Sequence, residues 1–180
     1  MSTTDGRKRL ATIWLDGCSG CHMSFLDMDE ALVDVAAMAD VVYGPLVDTK
    51  EFPADVDVTL VEGGVSSEED LEKIKTVRSR TKVLAALGDC AVTANVSGLR
   101  NQFPVDRVIE RAYHENADDG EGPQTDVPRL EVWSKPLHAH VTVDLWIPGC
   151  PPSAQTIQFA VTELLQDRIP DLSEHTRFGA

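Results

Sequence analysis

The stretch LATIWLDGCSGCHMSF, residues 10–25, joins a short apolar run to two cysteines at the start of a helical pattern. The run at 10–15 is apolar enough to be covered on both faces, which is typical of a buried strand. Cys18 and Cys21 follow this run three positions apart. Four interpretations compete for such a pair: half of a zinc knuckle, a thioredoxin-like redox pair, a disulfide, or two ligands of an iron-sulfur cluster.

The same alternation of apolar runs and helical patterns continues along the chain. Four further runs predict strands, namely DVVYG at 40–44, VDVTLV at 56–61, KVLAAL at 82–87 and VTVDLWI at 141–147. Helical patterns lie between most of the strands, at 22–38, 66–79, 91–100 and 104–114, with a last one at 153–167. This alternation predicts right-handed crossovers and a mainly parallel sheet with helices on both faces. We therefore expect a flavodoxin-like α/β fold with five strands in the order 2-1-3-4-5.

The length and composition suit one domain. A chain of 180 residues with 42% hydrophobic residues can bury an ordinary core. We expect a single domain over residues 1–180. The stretch ENADDGEGPQTDVPR at 115–129, which is acidic and contains glycine and proline, is interpreted as a solvated loop insertion before the last strand.

The charge of the chain excludes some partners. Thirty acidic against sixteen basic residues give a net charge of -14, the wrong sign for a phosphate backbone or an anionic membrane surface. We therefore expect no nucleic-acid partner and no membrane partner. The apolar run at 10–15 is too short for a signal peptide, and no later run approaches a membrane span. We expect a cytoplasmic protein, a compartment in which disulfides are rare.

All four cysteines directly follow predicted strands. Cys18 and Cys21 follow the first strand, whereas Cys90 follows the fourth in GDC and Cys150 follows the fifth in PGCPPS. In an open α/β sheet the carboxyl ends of the parallel strands form the edge at which ligands bind. We therefore expect the topology to bring the four thiols together at one edge.

Thiolates are soft ligands that suit zinc, copper(I) or an iron-sulfur cluster. Zinc knuckles usually present two local C-x-x-C pairs, whereas this chain has one pair and two distant single cysteines. The wide spacing favours a cluster that lies across several loops. Structural zinc in an adaptor protein stays open, as do packed or redox-active cysteines. Glycines that let N-H groups approach sulfur flank the thiols, at Gly17, Gly20, Gly88 and Gly149.

Four motifs in the chain are distinctive when taken together. They are WLDGCSGCHMSFLDMDE at 14–30, VEGGV at 61–65, GDCAVTANVSGLRN at 88–101 and PGCPPS at 148–153. Together they resemble the small (delta) subunit of nickel-iron hydrogenases, in particular the cytoplasmic NAD-reducing, bidirectional type. The resemblance covers nearly the whole chain. It implies one 4Fe-4S cluster, the proximal one, held by Cys18, Cys21, Cys90 and Cys150.

The resemblance also implies partners. In that family a large subunit carries the nickel-iron site, and the small subunit relays electrons to a diaphorase module of FMN and iron-sulfur centres that reduces NAD. The chain would thus be an electron-transfer subunit of a hydrogen dehydrogenase (hydrogen:NAD+ oxidoreductase), with no catalytic residue of its own. Residues 151–180 contain no cysteine, so we expect one cluster. Some relatives bind a second FMN near this subunit, but no phosphate loop here supports FMN binding.

Five further residues are candidates for a supporting, proton-transfer or interface role. Glu62 resembles a glutamate that the family keeps near the subunit interface, and His22 is a candidate donor to a cluster sulfide or to the large subunit. Many relatives have a glutamate for proton exit immediately before the first cysteine. Gly17 stands at that position here, with Asp16 as a candidate substitute, and Gly20 lies between the paired cysteines.

A respiratory relative is the alternative interpretation. The 20 kDa-type subunit of NADH:quinone oxidoreductase resembles the hydrogenase subunit in fold and in its single 4Fe-4S cluster, but works with quinone. That relative has adjacent cysteines in its first motif, whereas Ser19 and Gly20 separate the pair here. The spacing therefore favours the hydrogenase subunit.

Overall fold

The computed structural model describes residues 6–118 and 127–176. Over these two ranges the chain forms seven strands, which are β1 (Lys8–Trp14), β2 (Ala39–Tyr43), β3 (Val56–Glu62), β4 (Val65–Ser67), β5 (Thr81–Leu87), β6 (Leu130–Lys135) and β7 (Leu145–Ile147). Five of them form one parallel sheet in the order β2-β1-β3-β5-β7. This is the order 2-1-3-4-5 when only the strands of this sheet are numbered. The predicted flavodoxin-like α/β fold is confirmed.

Helices connect the strands. They are α1 (Gly20–Leu26), α2 (Ala31–Met38), α3 (Glu68–Arg80), α4 (Asp89–Thr93), α5 (Val105–Ile109) and α6 (Ala154–Leu165). Short 3-10 helices occupy Ser97–Gln102 and Leu137–Ala139, and a π-helix occupies Glu110–Glu115. The prediction of a single helix at 22–38 is wrong, because the structure has two helices, α1 and α2, in this range. Asp29, between them, adopts a left-handed backbone with φ of 50°, which interrupts the helix.

The parallel sheet separates two apolar clusters. Leu10 of β1 packs with α1, α2 and α6 on one face, and its neighbour Ala11 packs with α3 on the other. Consecutive residues reach different clusters because side chains alternate along a strand. Each fully buried leucine or isoleucine contributes about 1.5–3 kcal/mol to folding. These two clusters fix the loops at the carboxyl edge of the sheet.

A second sheet is absent from the sequence prediction. In it, β4 pairs with β6 in antiparallel orientation. The strand predicted at 141–147 is shorter in the structure, since only Leu145–Ile147 joins the main sheet. Most of the predicted acidic insertion at 115–129 lies outside the described residues. In the part of the chain that the structure describes, no helix is both long and apolar enough to cross a membrane.

Candidate metal centre

The structure brings the four cysteines to the carboxyl edge of the parallel sheet. Cys18 lies between β1 and α1, and Cys21 lies in the first turn of α1. Cys90 lies in α4 directly after β5, and Cys150 lies in the loop after β7. All four are free thiols. They are close enough for the charge of each of the other three to act on Cys21. Within residues 6–118 and 127–176, no three His, Cys, Asp or Glu side chains are arranged to hold a single metal ion.

The four thiols differ in their surroundings. Cys18 and Cys150 are exposed, whereas Cys21 and Cys90 are buried. Burial raises the pKa of the Cys21 thiol, and negative charge on Glu62 and on the other cysteines raises it further. Facing thiolates therefore repel one another in this arrangement. A positively charged metal group would remove that repulsion, so the donor set fits a thiolate-bound metal.

Gly88, between β5 and α4, leaves the space that the Cys21 sulfur occupies. Its φ of +81° is a conformation that side chains rarely allow, and a Cβ built on it would lie 2.2 Å from Cys21 Sγ. The Gly88 amide donates to the carbonyl of Ile147 over 2.8 Å, which joins the ends of β5 and β7. A side chain at this position would displace the thiol.

A reciprocal pair of hydrogen bonds joins the start of α4, which contains Cys90, to the loop that contains Cys150. The amide of Asp89 donates to the carbonyl of Gly149 over 2.9 Å, and the amide of Gly149 donates to Asp89 Oδ1 over 2.7 Å. The Asp89 side chain is buried, so its carboxylate is held away from water. These bonds hold the two thiol-bearing segments at a fixed spacing.

N-H groups point at the two exposed sulfurs. The amide of Gly20 donates to Cys18 Sγ over 3.4 Å, and Asn95 Nδ2 donates to Cys150 Sγ over 3.6 Å. Such donors stabilise negative charge on sulfur. Gly20, a predicted supporting residue, therefore contacts a thiol through its backbone.

The sulfur of Cys90 also has donors. Burial raises the pKa of Cys90, and backbone hydrogen bonds from Val96 and Ser97 lower it in part. Both donors lie in the short segment after α4. Helix α4 and the segment after it therefore supply a thiol and the N-H groups that act on it.

Glu62, the last residue of β3, connects this strand to α1. Its side chain is almost fully buried, and Oε2 accepts a hydrogen bond from the backbone amide of His22 over 2.9 Å. The same oxygen lies 2.6 Å from His22 Nδ1. Ser19, at the N-cap position, provides no side-chain cap, so Glu62 supplies an acceptor that the first helical turn needs. His22 Nε2 is buried and has no hydrogen-bond partner among the described residues.

Asp16 and Gly17 lie where the chain leaves β1. The backbone of Asp16 exchanges hydrogen bonds of 3.1 and 2.8 Å with the backbone of Gly64, in the loop after β3. The carbonyl of Gly17 accepts a hydrogen bond from Trp14 Nε1 over 3.0 Å. The structure therefore shows a backbone role for both residues at the edge of the cysteine loops.

Two residues near the thiols have no signal in the sequence that points to a role. Asn95 lies within a motif that is distinctive for other reasons. Ser134 lies on β6, and its hydroxyl donates to Ser97 Oγ over 2.9 Å. A correct prediction of the second sheet would have been needed to connect Ser134 with the cysteine loops.

Comparison with known proteins assigns the family. Residues 18–164 match the family described as NADH ubiquinone oxidoreductase, 20 Kd subunit. The chain belongs to this family. The delta subunit of NAD-reducing hydrogenase HoxS from Cupriavidus necator is similar to it, with 36% identity over 174 residues that cover 93% of this chain and 83% of that subunit. The resemblance to the small subunit of a NAD-reducing hydrogenase is therefore confirmed.

Other proteins similar to this chain are longer. A subunit of the F420-non-reducing hydrogenase from Methanothermobacter marburgensis is 41% identical over 165 residues, which cover 88% of this chain and 53% of that protein. A vhu subunit of the F420-non-reducing hydrogenase from Methanocaldococcus jannaschii is 36% identical over 167 residues, which cover 91% of this chain and 58% of that protein. The chain therefore spans little more than half the length of these relatives.

Solved structures agree with the fold. A chain in the crystal structure of NAD+-reducing [NiFe]-hydrogenase in the H2-reduced state superposes with a TM-score of 0.90 and 34% identity, covering 96% of this chain and 99% of that one. A chain of the [NiFeSe] hydrogenase from Desulfovibrio vulgaris Hildenborough has a TM-score of 0.59 at 17% identity, which supports the fold alone.

Proposed function

We propose that this chain is the electron-transfer small subunit of a cytoplasmic NAD-reducing nickel-iron hydrogenase. In the proposal one domain holds one 4Fe-4S cluster through Cys18, Cys21, Cys90 and Cys150. The observation that carries it is the meeting of four free thiols at the carboxyl edge of the sheet. The similarity to a chain of the NAD+-reducing enzyme over 96% of the length supports it.

The surroundings of the thiols support a cluster of this type. Four cysteines supply one thiolate to each iron of a cubane. A 4Fe-4S cluster, when bound, accepts and releases single electrons. The residues of this chain hold the ligand sulfurs at fixed spacing, through Gly88 and the Asp89–Gly149 hydrogen bonds. The N-H donors at three of the sulfurs stabilise negative charge there.

An apolar surface beside Cys18 and Cys21 supports the proposal that a partner subunit binds here. Trp14, Met23 and Leu26 are exposed, and they line a groove of about 340 Å³ whose walls are almost entirely apolar. Contiguous exposed apolar surface marks protein interfaces. In the proposal, the large subunit with the nickel-iron site covers this groove, and electrons pass onward to diaphorase subunits that carry FMN, further iron-sulfur clusters and the NAD site.

A respiratory subunit is the second candidate, because the matched family is described by the 20 Kd subunit of NADH ubiquinone oxidoreductase. In that case the same four thiols would serve a complex that reduces quinone. The similarity to the HoxS delta subunit, and the separation of Cys18 from Cys21, favour the hydrogenase.

Purification of the native complex that contains this chain tests the proposal. We expect nickel and iron together, hydrogen-dependent reduction of NAD, and about four irons bound to this chain. In the matched Cys150→Ala complex, nickel should remain, while the iron on this chain and NAD reduction should be lost. Iron without nickel, together with quinone reduction, would favour the respiratory candidate. Zinc in place of iron would refute both.

A further inference from the structure

We infer that Ser134 on β6 sets the reduction potential of the cluster by holding the N-H donors of residues 94–97, the donor segment, against the sulfurs of Cys90 and Cys150. This inference rests on the proposed function, because it concerns a cluster bound by those cysteines. Ser134 is a positioning residue, since it acts through the donor segment.

The donor segment reaches two of the four thiols. Asn95 Nδ2 donates to Cys150 Sγ over 3.6 Å. The backbone N-H groups of Val96 and Ser97 act on the Cys90 thiol, whose pKa burial raises and these groups lower in part. A small movement of this one segment would therefore change the hydrogen bonds of two ligands together.

The conformation of the donor segment is unusual. Ala94 has a φ of 63°, a left-handed backbone that residues other than glycine rarely adopt. Its carbonyl accepts hydrogen bonds from the amide of Gly98 over 2.5 Å and from the hydroxyl of Ser97 over 3.2 Å. A conformation of this kind persists when surrounding contacts hold it in place.

Ser134 supplies a contact from outside the segment. It is 2% exposed, and its hydroxyl donates to Ser97 Oγ over 2.9 Å, so the two hydroxyls form a chain that ends at the Ala94 carbonyl. Gly64 packs against the two hydroxyls. A Cβ at this position would lie 2.5 Å from Ser97 Oγ and 3.2 Å from Ser134 Oγ. The hydroxyl chain is therefore enclosed by the protein, where water does not compete with it.

The strand that carries Ser134 is itself tied to residues that follow the donor segment. Asn101 Nδ2 donates to the Ser134 carbonyl over 2.8 Å, and the Ser134 amide donates to Asn101 Oδ1 over 2.8 Å. Arg100 Nη2 donates to the carbonyls of Glu131 and Ser66 over 2.7 and 2.9 Å. The side chains of Arg100 and Asn101 thus hydrogen-bond to the backbone of β6, as the backbone of a neighbouring strand would. The second sheet and the donor segment therefore form one connected unit.

The effect on potential follows from charge. Reduction adds an electron to the cluster and its thiolates, and N-H donors stabilise this more negative state more than the oxidised state. Loss of the Ser134 hydroxyl removes one of the two hydrogen bonds of the Ser97 hydroxyl and so loosens the donor segment. The N-H groups then donate less well to sulfur, so the reduction potential should fall.

A redox titration of the purified native complex, followed by electron paramagnetic resonance of the cluster on this chain, tests the inference. In Ser134→Ala we expect full iron content and a midpoint potential shifted to a more negative value. Ser97→Ala removes the same hydroxyl contact from the other side and should shift the potential in the same direction. Thr59→Val is the matched control, because Thr59 and Thr81 form a buried hydroxyl pair of 2.8 Å within the main sheet. It should lower thermal stability without shifting the potential.

The outcomes separate the inference from the proposed function. A wild-type complex with no iron-sulfur signal on this chain would overturn the proposed function. If the wild type gives the signal, only variants that retain full iron are compared with it. An unchanged midpoint potential in such a Ser134→Ala or Ser97→Ala complex would overturn the inference and leave the proposed function standing. An equal shift in Thr59→Val would also overturn it, because the potential would then follow general stability.

Discussion

Glu62, at the end of the central strand β3, holds both the imidazole and the backbone amide of His22, a residue of α1. One carboxylate oxygen lies 2.6 Å from Nδ1 and accepts from the amide nitrogen over 2.9 Å. The helix that contains Cys21 is thereby fixed by the sheet, since Ser19 gives its first turn no side-chain cap.

Replacement of Glu62 by alanine should lower the free energy of unfolding by about 1–3 kcal/mol, because buried donors lose their acceptor. Chemical denaturation of the purified chain measures the change. Glu62→Gln keeps an acceptor oxygen for the His22 amide and should cost less. An unchanged unfolding midpoint in Glu62→Ala would mean that this carboxylate does not hold α1.

Gly88→Ala should prevent stable binding of the proposed iron-sulfur cluster. The new Cβ would overlap the Cys21 sulfur, and a side chain at φ of 81° and ψ of 163° adds strain of about 1–3 kcal/mol. Gly6→Ala is the matched control, since Gly6 also has a positive φ but no atom lies within 4 Å of its Cβ position. Iron per chain and thermal unfolding measure both variants. Equal iron in the two would show that the close approach at Gly88 is unimportant.

Asp89→Ala should destabilise the chain by about 1–3 kcal/mol, because the buried amide of Gly149 loses its acceptor. The loop that carries Cys150 should also become more accessible to hydrogen exchange. Asp89→Asn retains an acceptor oxygen and should lie between alanine and the wild type. If the two variants behave alike, the side-chain bond to Gly149 does not hold the loop.

Asp57 should make stability depend on acid pH. Burial alone would raise the pKa of Asp57, but hydrogen bonds from Lys82 Nζ and the Arg9 amide outweigh it and hold the pKa below the usual 3.8. A carboxyl with a lowered pKa stabilises the fold above its unfolded-state value, and this contribution is lost as the pH falls through the lower folded value. Asp57→Asn should therefore show a smaller loss of unfolding free energy than the wild type as the pH falls below 3.8.

Chemical denaturation at a series of pH values measures this difference. Asp48→Asn, which removes one charge from an exposed residue, controls for net charge. Parallel pH curves for Asp57→Asn and the wild type would contradict the prediction.

Met23→Asp or Leu26→Asp should weaken assembly with the proposed large subunit by about tenfold or more, since a charge would enter the proposed apolar interface. Co-purification at limiting concentration measures the loss. Val33→Asp is the matched helical control, because Val33 is exposed on α2 outside the groove. If all three variants co-purify with the partner equally well, the partner does not bind at this groove.

The main sheet is predictable because its strands are local apolar runs. Residues 10–15 and 82–87 have few polar interruptions, and both become strands with the same neighbours as expected. The pairing of β4 with β6 is not predictable in this way, since β4 has three residues and its partner lies far along the chain. The break at Asp29 also has no signal, because apolar spacing continues across it.

The cysteines are predictable as a group because each follows a strand. The contact between Ser134 and the segment after α4 depends on the second sheet. Ser134 and Ser97 are 37 positions apart and ordinary in type, so only the pairing of β6 reveals that they meet. Glu62 is intermediate: its position at the sheet edge is predictable, whereas its hydrogen bonds to His22 are not.

The addition of β7 at the outer end of the sheet has a consequence for biosynthesis. Cys150 follows β7, which pairs with β5 and is the last of the five parallel strands in the chain. During translation, the thiols of the first pair emerge from the ribosome long before this strand can join the sheet. A cofactor that requires all four sulfurs can therefore be inserted only after β7 has been synthesised. The earlier thiols must therefore remain unoxidised until then, because the thiolate is the form that binds metal.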